Sequence, residues 1–283
     1  MTKDEDKIDP STLIEISLND FEVANILFDK ENPKYYPLAI YMFQQSLEKA
    51  IKAALVCLGW VENERELKNE IGHEVTKRTI KLLRDKAKES IIDIINSIIQ
   101  RVNYENEEKV KNIVWDMLKI TIPTLNNLIP DKMVEDFINE IKYSIDYTFQ
   151  QINNKTDDKE TTKIFQDLVI SITNRSGEFL KQVEEYLKKF SIIGLSINIT
   201  QPLLELKLQL LLYTALLLML HAPLDNLQAK LRYHLPKIDK DNNLLYIGRL
   251  IKATINTKIN NNKNMLEYLK EIIDYFKNNQ ILN

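Results

Sequence analysis

The sequence predicts an all-α fold, an antiparallel helical bundle, and three observations carry that prediction. Glycine is scarce, 5 residues in 283. The 8 prolines fall mostly between periodic segments, so long helices are favoured over a turn-rich sheet protein. Apolar residues also recur at three- and four-residue spacings in block after block, most openly at Ile91, Ile92, Ile94, Ile95, Ile98, Ile99 and Val102.

The elements follow in order. Residues 1–10 read as a frayed tail. Ser11 or Thr12 is expected to cap a first helix to about Lys30, with Leu13, Ile16, Phe21, Ala24, Ile26 and Leu27 on its apolar side. Asn32-Pro33 breaks it. Pro37 suits the first turn of a second helix, where its missing donor costs nothing, and Gly59 stops that helix after Leu58. After a polar connection, His73 opens a third helix that carries the isoleucine run. Further helical blocks are expected at 107–120, 132–152 and 160–190. Trp115, Phe137, Phe149, Phe165, Phe179 and Tyr186 sit at core-like positions, so packing explains them better than base stacking does. Pro202 opens a buried helix over 203–221, and Ala222-Pro223 marks a break or kink. A shorter helix over 225–233 and two last helices, 244–260 and 265–277, complete the chain.

The totals exclude several functions. Lys+Arg 38 against Asp+Glu 41 gives a net charge of −3, so no global basic field advertises nucleic acid. Seven arginines are few for a surface built on bidentate phosphate contacts. The single cysteine, Cys57, forbids an internal disulfide and suits a buried free thiol in a reducing cytoplasm. The amino terminus is charged on both signs and lacks a signal-peptide core. The apolar run Leu208–Leu220 is 13 residues long. That is short of the roughly 20 needed to span a bilayer, so a core helix is expected and no membrane partner. One cysteine and three scattered histidines give no metal-ligand spacing, and no glycine-rich phosphate loop is written, so no cofactor is expected.

The most telling segment is Tyr35 to Leu55. Its polar residues Gln45, Glu48, Lys49 and Lys52 lie at helical spacings and form one stripe within an apolar frame. Solvent alone explains such a stripe. Its wording, however, resembles the second helix of the HEPN family, helical domains found beside nucleotidyltransferases and in RNA-cleaving toxin and defence systems. The resemblance rests on Tyr35-Tyr36, on Gln44-Gln45-Ser46-Leu47-Glu48-Lys49-Ala50 and on Gly72-His73-Glu74-Val75, where the family commonly has His-Asp. A second match is Leu231-Arg232-Tyr233-His234-Leu235-Pro236, similar to the family's Arg-Tyr-Pro ending but with His234-Leu235 inserted. The resemblance implies a HEPN-like core formed by 11–88 and 202–236, a large helical insertion at 89–200 and an appendage at 244–280. It also implies a homodimer and a nucleotidyltransferase-type partner.

Active family members use an arginine followed by a histidine, with four to six residues between. A histidine titrating near neutrality can move the proton of an RNA 2′-hydroxyl while a guanidinium steadies the phosphate. Here Arg65 precedes His73 with seven residues between, Lys68 with four, and Arg232 precedes His234 with one, so the motif is absent as written. His73, Arg78, Arg232 and His234 remain the catalytic candidates, and Gln45, Glu48, Lys49, Lys52 and Lys77 the binding candidates. Capping or packing by His73, and a solvated helix end at Arg232 and His234, explain those residues without chemistry. His221 reads as a partly buried core histidine. The expectation is a non-catalytic RNA- or nucleotide-associated binding role in a toxin–antitoxin or defence setting. A divergent metal-independent ribonuclease using His73 with Arg78 or Arg232, and a purely structural helical interaction protein, are the alternatives.

Overall fold

The described residues of the computed structural model are 8–29, 33–71, 74–83, 85–87, 89–91, 131–154, 157–190, 202–225, 242–259 and 262–278. They form α1 (Pro10–Asp29), α2 (Tyr36–Cys57), α3 (75–83), α4 (Asp131–Asn153), α5 (Asp158–Phe190), α6 (Pro202–Asp225), α7 (Asn242–Asn256) and α8 (Met265–Asn278). No strand forms among the described residues, and the all-α expectation holds. The expected helices at 107–120 and 225–233 lie almost wholly or wholly outside them.

Helix α1 begins earlier than expected. Asp9 is the cap, because its carboxylate accepts the Ser11 backbone N–H at 3.1 Å and the Thr12 hydroxyl at 3.0 Å, while Pro10 occupies the first turn. Its buried face also differs from the apolar side read off the sequence. Ile14, Ser17, Phe21, Ala24 and Phe28 are buried at three-four-three-four spacing, while Ile16 and Ile26 stand 40% and 51% exposed. The seam is set by small residues that a hydropathy reading passes over. Ser17 Oγ donates to the Ser46 carbonyl at 2.7 Å and lies 3.1 Å from Ser46 Oγ. Ala39, Phe43, Ser46, Ala50 and Ala53 supply the facing row of α2.

Helix α2 ends as predicted. Gly59 has φ 70, Trp60 N–H donates to the Leu55 carbonyl and Gly59 N–H to that of Val56, a left-handed close that only glycine adopts without strain. Asn63 Oδ1 then accepts the Glu66 N–H while the Glu66 carboxylate accepts the Glu62 N–H, capping a short helical turn, and Asn264 and Glu267 form a reciprocal capping box at the start of α8.

Helices α4 and α5 make an antiparallel hairpin, with the Phe137 and Phe179 rings stacked at 4.1 Å between centroids. Asp157 caps α5, accepting the Lys159 N–H at 2.7 Å. Helix α6 is the axis, packing against α2, α5, α7 and α8. It runs through Pro223 to Asp225, so Ala222-Pro223 does not break the helix. Residues Glu205–Leu224 are long and apolar enough to cross a membrane, but 67% of that stretch is buried against the other helices, as in a core helix. Two of its buried polar side chains reach partners on neighbouring helices. Tyr213 Oη lies 2.7 Å from Thr173 Oγ1 of α5, and the Tyr268 hydroxyl of α8 donates to Gln209 Oε1 at 2.6 Å. Burial raises the Tyr213 phenol above its ordinary range, so it stays protonated. The last two helices split their allegiance: α7 lies on α5, α8 on α1 and α2.

Candidate functional site

Two rows of α2 are buried. One meets α1; the other, Ile40, Gln44, Leu47, Ile51 and Leu55, turns toward the rest of the bundle, where α6 packs. Gln44, Glu48 and Lys52 follow one another at four-residue spacing along the edge of that second row. The stripe read from the sequence is therefore half sunk. Gln44 is fully buried and Glu48 nearly so, while Lys49 and Lys52 keep part of their surface. Each lysine meets a carboxylate: Lys52 Nζ donates to Glu48 Oε1 at 2.6 Å and Lys49 Nζ to Asp20 Oδ2 at 2.5 Å. The second pair is the more telling, since it ties the stripe to α1. Gln44 Oε1 and Nε2 and Gln45 Nε2 are buried without a hydrogen-bond partner, an uncommon condition for side-chain amides.

Helix α3 presents two faces. Outward, Glu74 takes the Arg78 guanidinium at 3.2 Å and Lys77 Nζ at 3.8 Å. Inward, Thr76 Oγ1 lies 2.9 Å from His221 Nδ1, pinning α3 to the far end of α6 in a buried contact. Thr79, one turn on, is fully buried, and its hydroxyl has no hydrogen-bond partner. His221 is 1% exposed. Cys57 is half-buried near Lys207, and burial pushes its thiol up to about 12, so it supplies no thiolate near neutral pH.

Of the sequence-predicted residues, the structure joins Glu48 to Lys52 and places Lys77 and Arg78 on a shared carboxylate. Gln45 and Lys49 sit beside the first pair. The α2 lysines pair with carboxylates of α1 and α2, whereas Lys77 and Arg78 share Glu74. His73, Arg232 and His234 lie outside the described residues. Sequence reasoning missed Gln44, Asp20, Thr76 and Thr79. The four-residue step from Gln44 to Glu48 to Lys52 was the available signal for Gln44; nothing local flags Asp20. Among the described residues, no group of three or more His, Cys, Asp and Glu side chains is placed to hold a metal ion.

Residues 11–123 match the HEPN domain family. That stretch is HEPN-like. The match begins at α1 and takes in all of α2 and α3, so the buried hairpin, the paired stripe and the Thr76 contact belong to it. A stretch of 110 residues is also 32% identical to the GTPase Obg of Mycoplasmopsis synoviae (strain 53), covering 38% of this chain and 24% of that protein. The chain thus spans about a quarter of that relative's length. No glycine in this chain is followed by lysine, so the phosphate loop of P-loop nucleoside triphosphatases is not written in it. No solved structure matches.

Proposed function

We propose that the HEPN-like domain is a non-catalytic binding module, associated with RNA or a nucleotide in a toxin–antitoxin or defence setting. In this reading it works in the cytoplasm as a homodimer beside a nucleotidyltransferase-type partner. Residues 89–200 are then a helical insertion in a core made of 11–88 and 202–236, and 244–280 an appendage.

The observation that carries the non-catalytic reading is the state of the acid–base groups. The spaced arginine–histidine pair is missing from the sequence. His221, the histidine among the described residues, is buried with its Nδ1 on Thr76. Arg78, Lys49 and Lys52 are held by carboxylates of the same fold. A phosphate would have to displace those carboxylates, so the stripe favours a ligand that meets Gln45 and the edge of the Glu48–Lys52 pair.

Two assays on the full chain test this. The purified protein is mixed with a labelled RNA pool in EDTA, beside His73→Ala and Arg232→Ala. The same preparations are titrated with fluorescent RNA and ATP. Binding that weakens in Lys49→Ala and Gln45→Ala, without cleavage, supports the module. Metal-independent cleavage lost in either folded variant makes the protein a divergent ribonuclease. Neither binding nor cleavage would leave a structural interaction protein.

A further inference from the structure

The α4–α5 hairpin leaves an open groove that none of the residues above uses. Its volume is about 560 Å³, within the range of ligand-binding clefts. Met133, Phe137 and Phe179 form an apolar floor, with the two rings stacked. The rim is charged: Lys132, Asp136 and Glu140 on α4, Arg175 and Glu178 on α5. Arg175 is spent on Glu140 at 3.2 Å and on Ser171. Asp136 and Glu178 are exposed carboxylates with no ion pair among the described residues.

Past the groove, the exposed face of α4 continues. Asp136, Glu140, Tyr143 and Tyr147 stand at steps of four, three and four, which is one face of a helix. All four are exposed, Tyr143 at 71% and Tyr147 at 51%, and the two tyrosine rings stack at 6.1 Å. A soluble surface seldom leaves two large rings side by side in water without a use for them.

We propose that this groove docks a basic segment of a partner protein, in which an apolar side chain is flanked by arginine or lysine. The floor takes the apolar residue. Asp136 and Glu178 face the flanking cations, and the Tyr143 and Tyr147 faces offer cation–π contact to a guanidinium. Single-stranded nucleic acid also stacks on tyrosines, but here its phosphates would run along unpaired carboxylates without a cationic track. Charge therefore selects the peptide. The α4–α5 groove lies apart from the α2 stripe, so the inference stands independently of the function proposed above.

The test uses the full chain and three fluorescent probes read by anisotropy: an amphipathic arginine–leucine peptide, its glutamate–leucine counterpart, and oligouridine. The basic peptide is expected to bind, and the other two not. Asp136→Lys with Glu178→Lys should weaken that binding by about tenfold or more, as should Tyr143→Ala with Tyr147→Ala. Glu22→Lys, an exposed charge reversal on α1, should leave it within about twofold, which separates the groove from general acidity. Far-ultraviolet circular dichroism of every variant guards against loss of fold; these are surface positions. Equal loss in Glu22→Lys, no binding of the basic peptide, or preference for oligouridine would each overturn the proposal.

Discussion

The α1–α2 hairpin and the α4–α5 hairpin are both antiparallel helix pairs, yet they solve the packing problem in opposite ways. In α1–α2 serine and alanine alternate with phenylalanine along the contact, with polar atoms inside: the Ser17–Ser46 bonds, the buried Gln44 amide and the nearly buried Glu48. Small residues let the backbones approach, and α2 is then covered again by α6. In α4–α5 the contact centres on large rings and branched aliphatics, and the buried hydroxyls of Thr161 and Ser176 donate to backbone carbonyls one turn back. Large side chains hold the axes apart and leave a groove open along one edge. One hairpin is therefore sandwiched and filled, the other one-sided and accessible.

The largest expected effect breaks the comparison most directly. Phe43 and Phe137 are ring-to-ring partners in the two hairpins, 0% and 7% exposed. Phe43→Ala should cost about 3–5 kcal/mol of unfolding free energy, since a closed site on α2 cannot collapse around the void. Phe137→Ala should cost on the order of 2 kcal/mol, because water can enter from the groove and relieve part of the cavity penalty. Urea titrations followed by circular dichroism measure both. Equal losses would mean that α4–α5 is packed as tightly as α1–α2.

Next comes the joint between the two regions. Tyr268→Phe removes the hydroxyl that donates to Gln209 Oε1 and leaves that buried carbonyl unmatched beside α6. The expected cost is about 1–3 kcal/mol. A thermal-unfolding shift measures it, and no change would mean that Gln209 finds another donor.

These contrasts explain what the sequence made legible. The hydropathy period located α2, α4, α5 and α8 to within a few residues, since each buries a continuous apolar face. It misassigned part of the face of α1: Phe21 and Ala24 are buried as read, but Ser17 counts for little on any apolar scale while Ile16 and Ile26 count for much. The same blindness hid Gln44. A glutamine on an amphipathic helix reads as surface until a second helix is known to cover that side, and α6 is far away in sequence. Asp20 was invisible as the partner of Lys49 for the same reason. The wording of the α2 block conveyed the family where physical pattern conveyed only a helix.

A smaller effect, with the opposite sign, probes that hidden side of α2. Gln44→Leu keeps the volume nearly constant and removes two buried polar atoms that have no partner. Replacing an unmatched amide by an apolar group should stabilise the fold by about 1 kcal/mol. The same variant should weaken any ligand that the amide serves. Urea midpoints beside the RNA and ATP titrations separate the outcomes. Destabilisation would mean that the amide is satisfied in solution, and the α2 interior would then resemble the Gln209 and Tyr213 contacts of α6, whose polar atoms are matched.

The smallest effect concerns how α8 is held to α1. Burial pulls the Asp9 carboxyl upward. Hydrogen bonds from Lys277, Thr12 and the Ser11 N–H outweigh it and hold the group below its ordinary value of 3.8. Lys270 moves the other way: the Asp274 hydrogen bond, opposed by burial and aided by Glu15, raises it above 10.5. A depressed carboxyl contributes stability that is present above 3.8 and lost as pH falls through its folded value. A raised ammonium contributes stability present below 10.5 and lost as pH rises through its own. The clasp should thus be fully engaged between those limits and weaken outside both. Asp9 and Lys277 are more than a third exposed, so solvent screening leaves only a few tenths of a kcal/mol for that pair. Hydrogen exchange of the α8 amides against pH, with Asp274→Asn and Lys270→Met, measures the effect locally. Protection that is flat from acid to alkali would put the whole of α8 docking on Leu269, Ile272, Ile273 and Phe276, the apolar face it buries, and would make the charged clasp a matter of register alone.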